Sequence, residues 1–260
     1  MQPTISIIIP QYKTFQVTQL CLRALKKFST LNIEVIVVDN NSADDSLEYL
    51  EKNKWIKLIK NEHAAIGGAG HKQALDIGIK AAKGEWILLF HSDTIVLKQG
   101  WDADLLNLVK QYPYAVGATS IVRDINPFAS WHSRLIKQVK ERQYAYHHTL
   151  DTSNNKMMSY CFLIKREFLI STGFNFEQAD GDVADALYRN HIKNKQTFVL
   201  MGRGFLKNIL WHTSNVSSIL TGQMTDSKSV SKLHQKLNSL FSSVVISELM
   251  HDNSLDCFKV

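Results

Sequence analysis

The first hundred residues alternate between short apolar runs without polar interruption and longer segments in which apolar positions recur with a helical period. The runs at 6–10, 34–38, 56–59 and 86–90 predict buried strands. The segments between them predict helices at 15–28, 45–52 and 71–82. Strands that lack polar alternation are typical of sheets with helices on both faces. The pattern therefore predicts βαβ units and a mainly parallel sheet.

The second half of the chain has a less regular pattern. It predicts helices at 100–111, 131–146, 166–171 and 182–191, and strands at 115–122, 159–165, 198–201 and 205–211. Beyond residue 220, Leu233, Leu237, Leu240 and Val244 follow a helical spacing. We therefore expect one α/β domain over 1–220 and a helical C-terminal extension over 221–260.

Composition narrows the class of protein. Hydrophobic residues make up 45% and charged residues 21%, which indicates a globular chain, and no apolar run approaches the roughly 20 residues of a membrane span. The three cysteines form no CxxC pair, which argues against a disulfide framework or a zinc knuckle. The first residues show no basic and then apolar leader, so we expect a cytoplasmic protein.

The net charge of +6 comes from scattered basic residues. It fits ordinary surface charge, an anionic ligand, or peripheral contact with an anionic membrane surface. The basic and aromatic segment 131–144 fits that membrane contact or contact with an anionic glycan, but a solvated amphipathic helix is the favoured interpretation. No nucleic-acid-binding module is recognisable, so no nucleic-acid partner is expected.

Polar residues follow three of the predicted strands where each one ends. They are Pro10, Gln11 and Tyr12 after the first, Asp39 to Ser42 after the second, and His91 to Thr94 after the fourth. Ligands of open parallel sheets bind outside the carboxyl ends of the strands. Together these residues describe a crevice of nucleotide size, although any one of them alone is a weak signal.

Three side chains suit parts of a nucleotide. Asp39 can accept a hydrogen bond from the imide-type N–H of uracil, thymine or guanine, but it can equally cap a helix. Tyr12 can stack on the base, or it can simply be a half-buried aromatic. Lys72 lies beside the glycine cluster at 67–70 and can neutralise the charge of a diphosphate, while the loop amides, with Gly68 among them, and the next helix N-terminus add positive potential. Glycines also punctuate ordinary turns.

Several motifs resemble the family 2 glycosyltransferases. They are SIIIPQY at 6–12, EVIVVDNNS at 34–42, GEWILLFHSDT at 84–94, KREFLISTGF at 165–174 and DVAD at 182–185. The resemblance covers about residues 4–215. It implies a GT-A fold, with a nucleotide-sugar half over about 1–100 and an acceptor half over about 101–220. Pro10, Asn41 and Ser92 lie in motifs that this family uses to bind its donor.

The activity that this resemblance implies is sugar transfer, with inversion, from a UDP-, dTDP- or GDP-sugar. The acceptor would be a hydroxyl of a glycan or of a lipid-linked sugar, as in polysaccharide biosynthesis. The family usually shows an Asp-x-Asp motif after the fourth strand, and Asp93 matches its second acid, while His91 replaces the first. His212 resembles a late histidine that some members use as a metal ligand. Imidazole ligands favour Mn²⁺ over Mg²⁺.

The segment 178–185 is similar to the family's Glu-Asp motif. Asp182 matches its second acid, and Gly181 stands where Glu is common. The resemblance implies that Asp182 takes the proton of the acceptor hydroxyl, with Asp185 one turn further on, whereas a plain helix cap is the alternative for Asp182.

The departures at His91 and Gly181 leave a second class open. That class is a nucleotide-sugar-binding protein without catalysis, which serves as a regulatory or assembly partner. Nucleotidyltransferases and methyltransferases are not favoured, because each would need a glycine-rich loop after the first strand. Gln11, Tyr12, Lys13 and Thr14 occupy that position instead.

Overall fold

The computed structural model describes residues 2–120, 125, 158–183, 186–187, 197–212, 216–220, 222 and 225–256, with the side chains of residues 217 and 220 excepted. The helix predicted at 131–146, most of the one predicted at 182–191, and Asp185 lie outside the described residues.

Within the described residues, the fold is built on a seven-stranded sheet with the order β3-β2-β1-β4-β7-β6-β8. Its strands are β1 (Ile5–Gln11), β2 (Ile33–Asp39), β3 (Lys57–Lys60), β4 (Trp86–Phe90), β6 (Ala115–Ser120), β7 (Met158–Lys165) and β8 (Thr197–Leu200). A second, two-stranded sheet pairs β5 (Thr94–Val96) with β9 (Leu210–His212).

Helices lie between these strands and also follow the last strand in the sequence. They are α1 (Phe15–Phe28), α2 (Asp45–Lys52), α3 (Gly68–Ala81), α4 (Trp101–Lys110), α5 (Arg166–Thr172), α6 (Arg203–Ile209), α7 (Val216–Leu220), α8 (Ser227–Phe241) and α9 (Val244–His251). A 3₁₀ turn, Asn253–Leu255, follows α9.

The prediction of a mainly parallel sheet is confirmed. Strand β1 runs parallel to both β2 and β4, β2 runs parallel to β3, and β6 runs parallel to β8. The exception is β7, which is antiparallel to both of its neighbours. Because β7 runs in reverse, its first residues lie beside the carboxyl end of β4, where Phe90 pairs with Cys161.

Both faces of the central strands are buried, which explains why the strands lack polar alternation. In β1, Ile7 and Ile9 belong to one apolar cluster, while Ile8 belongs to the cluster on the other face. The first cluster also contains Leu240, Ile246 and Leu249 of the C-terminal helices. Those helices confirm the helical character predicted beyond residue 220, while the domain boundary near 220 stays a prediction.

One predicted strand is wrong. Residues 205–211 form most of helix α6 and the start of β9, rather than a single strand. Leu206 and Ile209 lie three residues apart and are both buried, which is helical spacing. The sequence of such a short apolar run does not distinguish a buried strand from a buried helical turn. No helix in the described part of the chain is both long and apolar enough to cross a membrane.

Candidate active site

Asp93 lies between two histidines at the carboxyl end of the central sheet. His91 and Asp93 follow β4, whereas His212 ends β9, which pairs with β5 so that His212 lies opposite Thr94. The Asp93 Oδ1 atom is 3.9 Å from His91 Nδ1 and 3.7 Å from His212 Nε2. The short β5–β9 sheet therefore brings together two sequence segments that are more than a hundred residues apart.

These three residues have the spacing of a cation site. One ligand atom from each of them can be chosen so that all three lie within 4.8 Å of one another. Metal–nitrogen and metal–oxygen bonds of about 2.0–2.2 Å place ligand atoms at separations of this order. Two imidazoles and one carboxylate are a donor set for a divalent cation. The residues present thus fit such a cation.

Burial holds the neighbouring imidazoles in the neutral form that can coordinate a metal. It lowers the pKa of His91 well below its usual value, and the charges of His71 and His212 lower it further. Burial also lowers the pKa of His71 to about 4. His71 lies on the first turn of α3, with its ring edge-on to His91 at a centroid distance of 5.2 Å.

Three residues of this site were not predicted from the sequence. Besides His71, the start of β7 contributes Ser159 and Tyr160. The Ser159 Oγ atom is 2.9 Å from His91 Nε2, and the Tyr160 ring stacks on His212. An antiparallel strand brings its first residues to the edge where parallel strands end. Ser159 and Tyr160 lie in the site because β7 runs antiparallel to β4, and the sequence pattern does not reveal that direction.

Asp39 ends β2, next to β1 in the sheet, and its carboxylate is held in place locally. It accepts from the Ser42 backbone N–H at 3.0 Å and from the Ser42 hydroxyl at 2.5 Å. Asn40 then donates to the Gly70 carbonyl at 3.2 Å and so links β2 to the start of α3. Asn41 is exposed and has a φ of 57°.

Beyond the end of β1, Tyr12 has a partly exposed aromatic ring, whereas Thr14 takes part in a buried hydrogen-bond network. Tyr12 is 37% exposed, and its ring centroid lies 5.3 Å from Lys13 Nζ. Pro10, by contrast, is a buried residue of β1. Ser92 is buried after β4, and its hydroxyl lies 3.1 Å from that of Thr14. Of these residues, Tyr12 presents the surface that can stack on a base.

The glycine cluster forms the start of α3, beginning at Gly68. A Cβ atom on Gly70 would lie 2.0 Å from the Ala65 carbonyl oxygen, so only glycine fits at that position. Lys72 lies one residue beyond His71, and its ammonium group donates to the Ala179 carbonyl at 2.5 Å. Lys72 therefore holds the loop that leads to Asp182.

Asp182 itself is exposed and lies at the end of that loop. It follows Gly181, whose φ is 80°, and its carbonyl accepts from the Ala186 N–H at 2.9 Å. Asp182 thus begins a helical turn, as the helix-cap interpretation also expected. Val183, the next residue, is buried in the same apolar cluster as Ile8, Phe176 and Leu187.

A mainly parallel sheet with a carboxylate and histidine group beside the end of its central strand agrees with the GT-A fold of the solved structures described below. The Glycosyl transferase family 2 model matches residues 6–173. The chain belongs to this family.

Several curated relatives carry glycosyltransferase names. Glycosyltransferase GlyG of Streptococcus pneumoniae is 35% identical over 100 residues, which are 37% of this chain and 32% of GlyG. Putative glycosyltransferase EpsH of Bacillus subtilis is 34% identical over 95 residues, which are 35% of this chain and 26% of EpsH. The matched segments therefore span about a third or less of these relatives.

Solved structures with the same fold include glycosyltransferases with bound donors. Residues 1–349 of Staphylococcus aureus TarS in complex with UDP-GlcNAc superpose with a TM-score of 0.60 at 14% identity, over 95% of this chain and 71% of that chain. The mannosyltransferase PcManGT of Pyrobaculum calidifontis, in complex with GDP-Man and Mn²⁺, gives a TM-score of 0.56 at 17% identity, over 77% of this chain and 55% of that chain.

Proposed function

We propose that this chain transfers a glycosyl group from a UDP-, dTDP- or GDP-sugar to a hydroxyl group, with inversion at the anomeric carbon. The observation that carries this proposal is the arrangement of His91, Asp93 and His212 at the carboxyl edge of the sheet, the same edge at which β2 ends in Asp39. The acceptor is a hydroxyl of a growing surface polysaccharide or lipid-linked glycan on the cytoplasmic side. Among the relatives, TarS of S. aureus is named as a poly(ribitol-phosphate) β-N-acetylglucosaminyltransferase.

The donor half of the site selects bases that carry an imide-type N–H. The Asp39 carboxylate accepts two hydrogen bonds from Ser42, and a carboxylate has about four acceptor positions, so it can still accept from uracil, thymine or guanine. Adenine and cytosine offer no such donor. Tyr12 would cover the face of the base, and Pro10, Asn41, Ser92 and the Gly68 turn would border the nucleotide. The complexes of TarS with UDP-GlcNAc and of PcManGT with GDP-Man support this donor class.

His91, Asp93 and His212 are the residues that would hold a divalent cation, with Mn²⁺ preferred over Mg²⁺ because two of the three ligands are imidazoles. When bound, such a cation neutralises charge on the diphosphate leaving group. The complex of PcManGT with Mn²⁺ supports this assignment. Ser159 would fix the orientation of the His91 ring through its hydroxyl.

Asp182 is the general base in this proposal. The acceptor oxygen forms a bond to the anomeric carbon while its proton passes to the Asp182 carboxylate. The bond from that carbon to the diphosphate oxygen breaks, and the nucleoside diphosphate leaves with the electron pair. Because the attack comes from the face opposite the leaving group, the configuration inverts. A positioned base of this kind contributes about 10²–10⁴-fold to the rate.

The experiment that tests the proposal compares Asp182→Asn with Asp180→Asn on the same exposed loop. A thermal-shift screen of UDP-, dTDP- and GDP-sugars with Mn²⁺ first selects the donor. Transfer from that donor to water is then followed by NMR, which shows the anomer that forms first. We expect Asp182→Asn to lower turnover by about 10²–10⁴-fold at nearly unchanged donor affinity. Asp180→Asn should retain turnover.

Inversion requires that an α-linked donor give the β-anomer first. A retained configuration would reject the single displacement. Donor binding without turnover, toward water or any acceptor, would favour the alternative of a nucleotide-sugar-binding protein.

A further inference from the structure

Helix α3 holds the loop before Asp182 at two points. The Asp76 carboxylate accepts from the backbone N–H groups of Phe176 and Glu177, each at 3.0 Å and each on a different oxygen. One turn earlier on the same helix, Lys72 donates to the Ala179 carbonyl at 2.5 Å. Residues four apart lie on one face of a helix, so a single face of α3 contacts this loop at Phe176, Glu177 and Ala179.

The loop has little regular structure to fix its path. Residues 174–182 contain turns and bends but no helix or strand. Phe176 supplies an apolar anchor in the cluster that also contains Leu75 and Val183. Packing of this kind limits how far the loop can move away from α3, but it is not directional. The two hydrogen bonds to Asp76 fix the direction in which the chain leaves Phe176 toward Asp182.

We propose that Asp76 is a positioning residue for the transfer reaction, and that its clamp on Phe176 and Glu177 sets the place of the Asp182 carboxylate. This inference rests on the proposed role of Asp182. In this role Asp76 acts through the loop and not on the donor or acceptor, and Lys72 supports the clamp from the preceding turn of α3. A base that is misplaced by about 1 Å can lower the rate on the order of a hundredfold, so a clamp that positions the base contributes to catalysis.

A second aspartate in the chain provides a matched control. Asp102 on α4 accepts from the backbone N–H groups of Thr30 at 2.9 Å and Leu31 at 2.8 Å on one oxygen, and from the Thr30 hydroxyl at 3.0 Å on the other. Asp76 is 5% exposed and Asp102 is 0% exposed, so both are buried carboxylates that clamp two consecutive backbone amides. Asp102 holds the turn that enters β2, at the end of that strand opposite Asp39.

The first test compares Asp76→Asn with Asp102→Asn. Each change removes one of two acceptor oxygens, and both variants should lose thermal stability. We expect Asp76→Asn to lower kcat for transfer to water by about 10–100-fold, with the donor KM nearly unchanged. Asp102→Asn should keep the wild-type kcat. Equal kcat values for the two variants would overturn the inference, because stability alone would then explain both.

The second test is a double-mutant cycle with Asp182→Asn. If Asp76 acts through Asp182, the double variant should be no slower than Asp182→Asn alone. Effects that multiply would show that Asp76 acts by another route, and would overturn the inference while leaving the base assignment intact. A fully active Asp182→Asn would overturn the base assignment, and the inference with it.

If Asp76→Asn does not fold, Lys72→Met provides a second way to test the inference. Methionine preserves most of the apolar stem of this half-buried side chain but cannot donate to the Ala179 carbonyl. We expect kcat to fall several-fold at constant donor affinity, and the loss should vanish in the Asp182→Asn background. A fall in donor affinity with unchanged kcat would instead assign Lys72 to the diphosphate and count against the clamp.

Discussion

The ring of Tyr160 stacks on the imidazole of His212, with centroids 3.9 Å apart and planes 14° apart. Tyr160 comes from the start of β7, and His212 is the last residue of β9. The stack restrains rotation of the His212 ring, whose Nε2 atom faces Asp93. Residues that orient a ligand in this way commonly change metal affinity as much as 10–100-fold.

Tyr160→Leu should therefore weaken Mn²⁺ binding by roughly tenfold or more, because the leucine side chain cannot stack flat on an imidazole. Tyr160→Phe keeps the ring and should retain most of the affinity. Calorimetric titration of each variant with Mn²⁺ gives the comparison. Equal affinities for the leucine and phenylalanine variants would show that the stack does not orient His212.

Asp39→Ala should weaken UDP binding by about 1.5–3 kcal/mol, the range for a hydrogen bond to a charged group. The matched control is Asp44→Ala, because Asp44 also accepts from the backbone N–H and the hydroxyl of one nearby serine, Ser46. Asp44 caps α2, so its loss should cost stability but not UDP affinity. If wild-type protein bound ADP- and UDP-sugars equally, the base-recognition role of Asp39 would be wrong.

Stability without metal should fall as the pH drops below about 6.5. The pKa of His71 is lowered to about 4 and that of His91 well below its usual value, whereas an unfolded histidine titrates near 6.5. Between these pH values the unfolded chain binds more protons, so the free energy of unfolding decreases with decreasing pH. Urea unfolding in EDTA from pH 7 to 4 measures this slope. His71→Asn should reduce it, and an identical slope would contradict the assignment.

One buried arginine links α1 to the C-terminal segment. Arg23 of α1 is only 2% exposed and donates to both carboxylate oxygens of Asp256 and to the Asn253 side chain. Asp256→Ala would leave this guanidinium without its counter-charge, which typically costs about 3–5 kcal/mol. Chemical denaturation of Asp256→Ala and Glu48→Ala tests this. The exposed pair of Glu48 with Lys52 should contribute nothing measurable, so equal losses would contradict the account.

The sequence predicted the parallel half of the fold because each strand there is a buried apolar run next to an amphipathic helix. It could not predict the direction of β7, since strand direction depends on which neighbour the strand pairs with rather than on its own residues. The apolar run at 205–211 was misassigned for a related reason. Its first part packs as a turn of α6 and its last part pairs with β5, so both halves are buried.

The candidate site likewise contains some residues that the sequence predicts and others that it does not. Asp39, His91 and Asp93 could be predicted because they follow strands that end at one edge of the sheet. His212 was found only through family resemblance, and His71, Ser159 and Tyr160 were not found. These four reach the site through the position of α3 and through pairing between distant strands, which local sequence does not encode. The contact of Lys72 with Ala179 is also tertiary.

The most direct test of the account is calorimetric titration of wild-type protein with UDP in the presence of Mn²⁺ and then in EDTA. If His91, Asp93 and His212 hold a cation that serves the diphosphate, UDP should bind at least tenfold more tightly with Mn²⁺, a difference of about 1.4 kcal/mol. Asp93→Ala should remove that difference while retaining the metal-free affinity. Equal UDP affinities of the wild-type protein with Mn²⁺ and in EDTA would contradict the central claim.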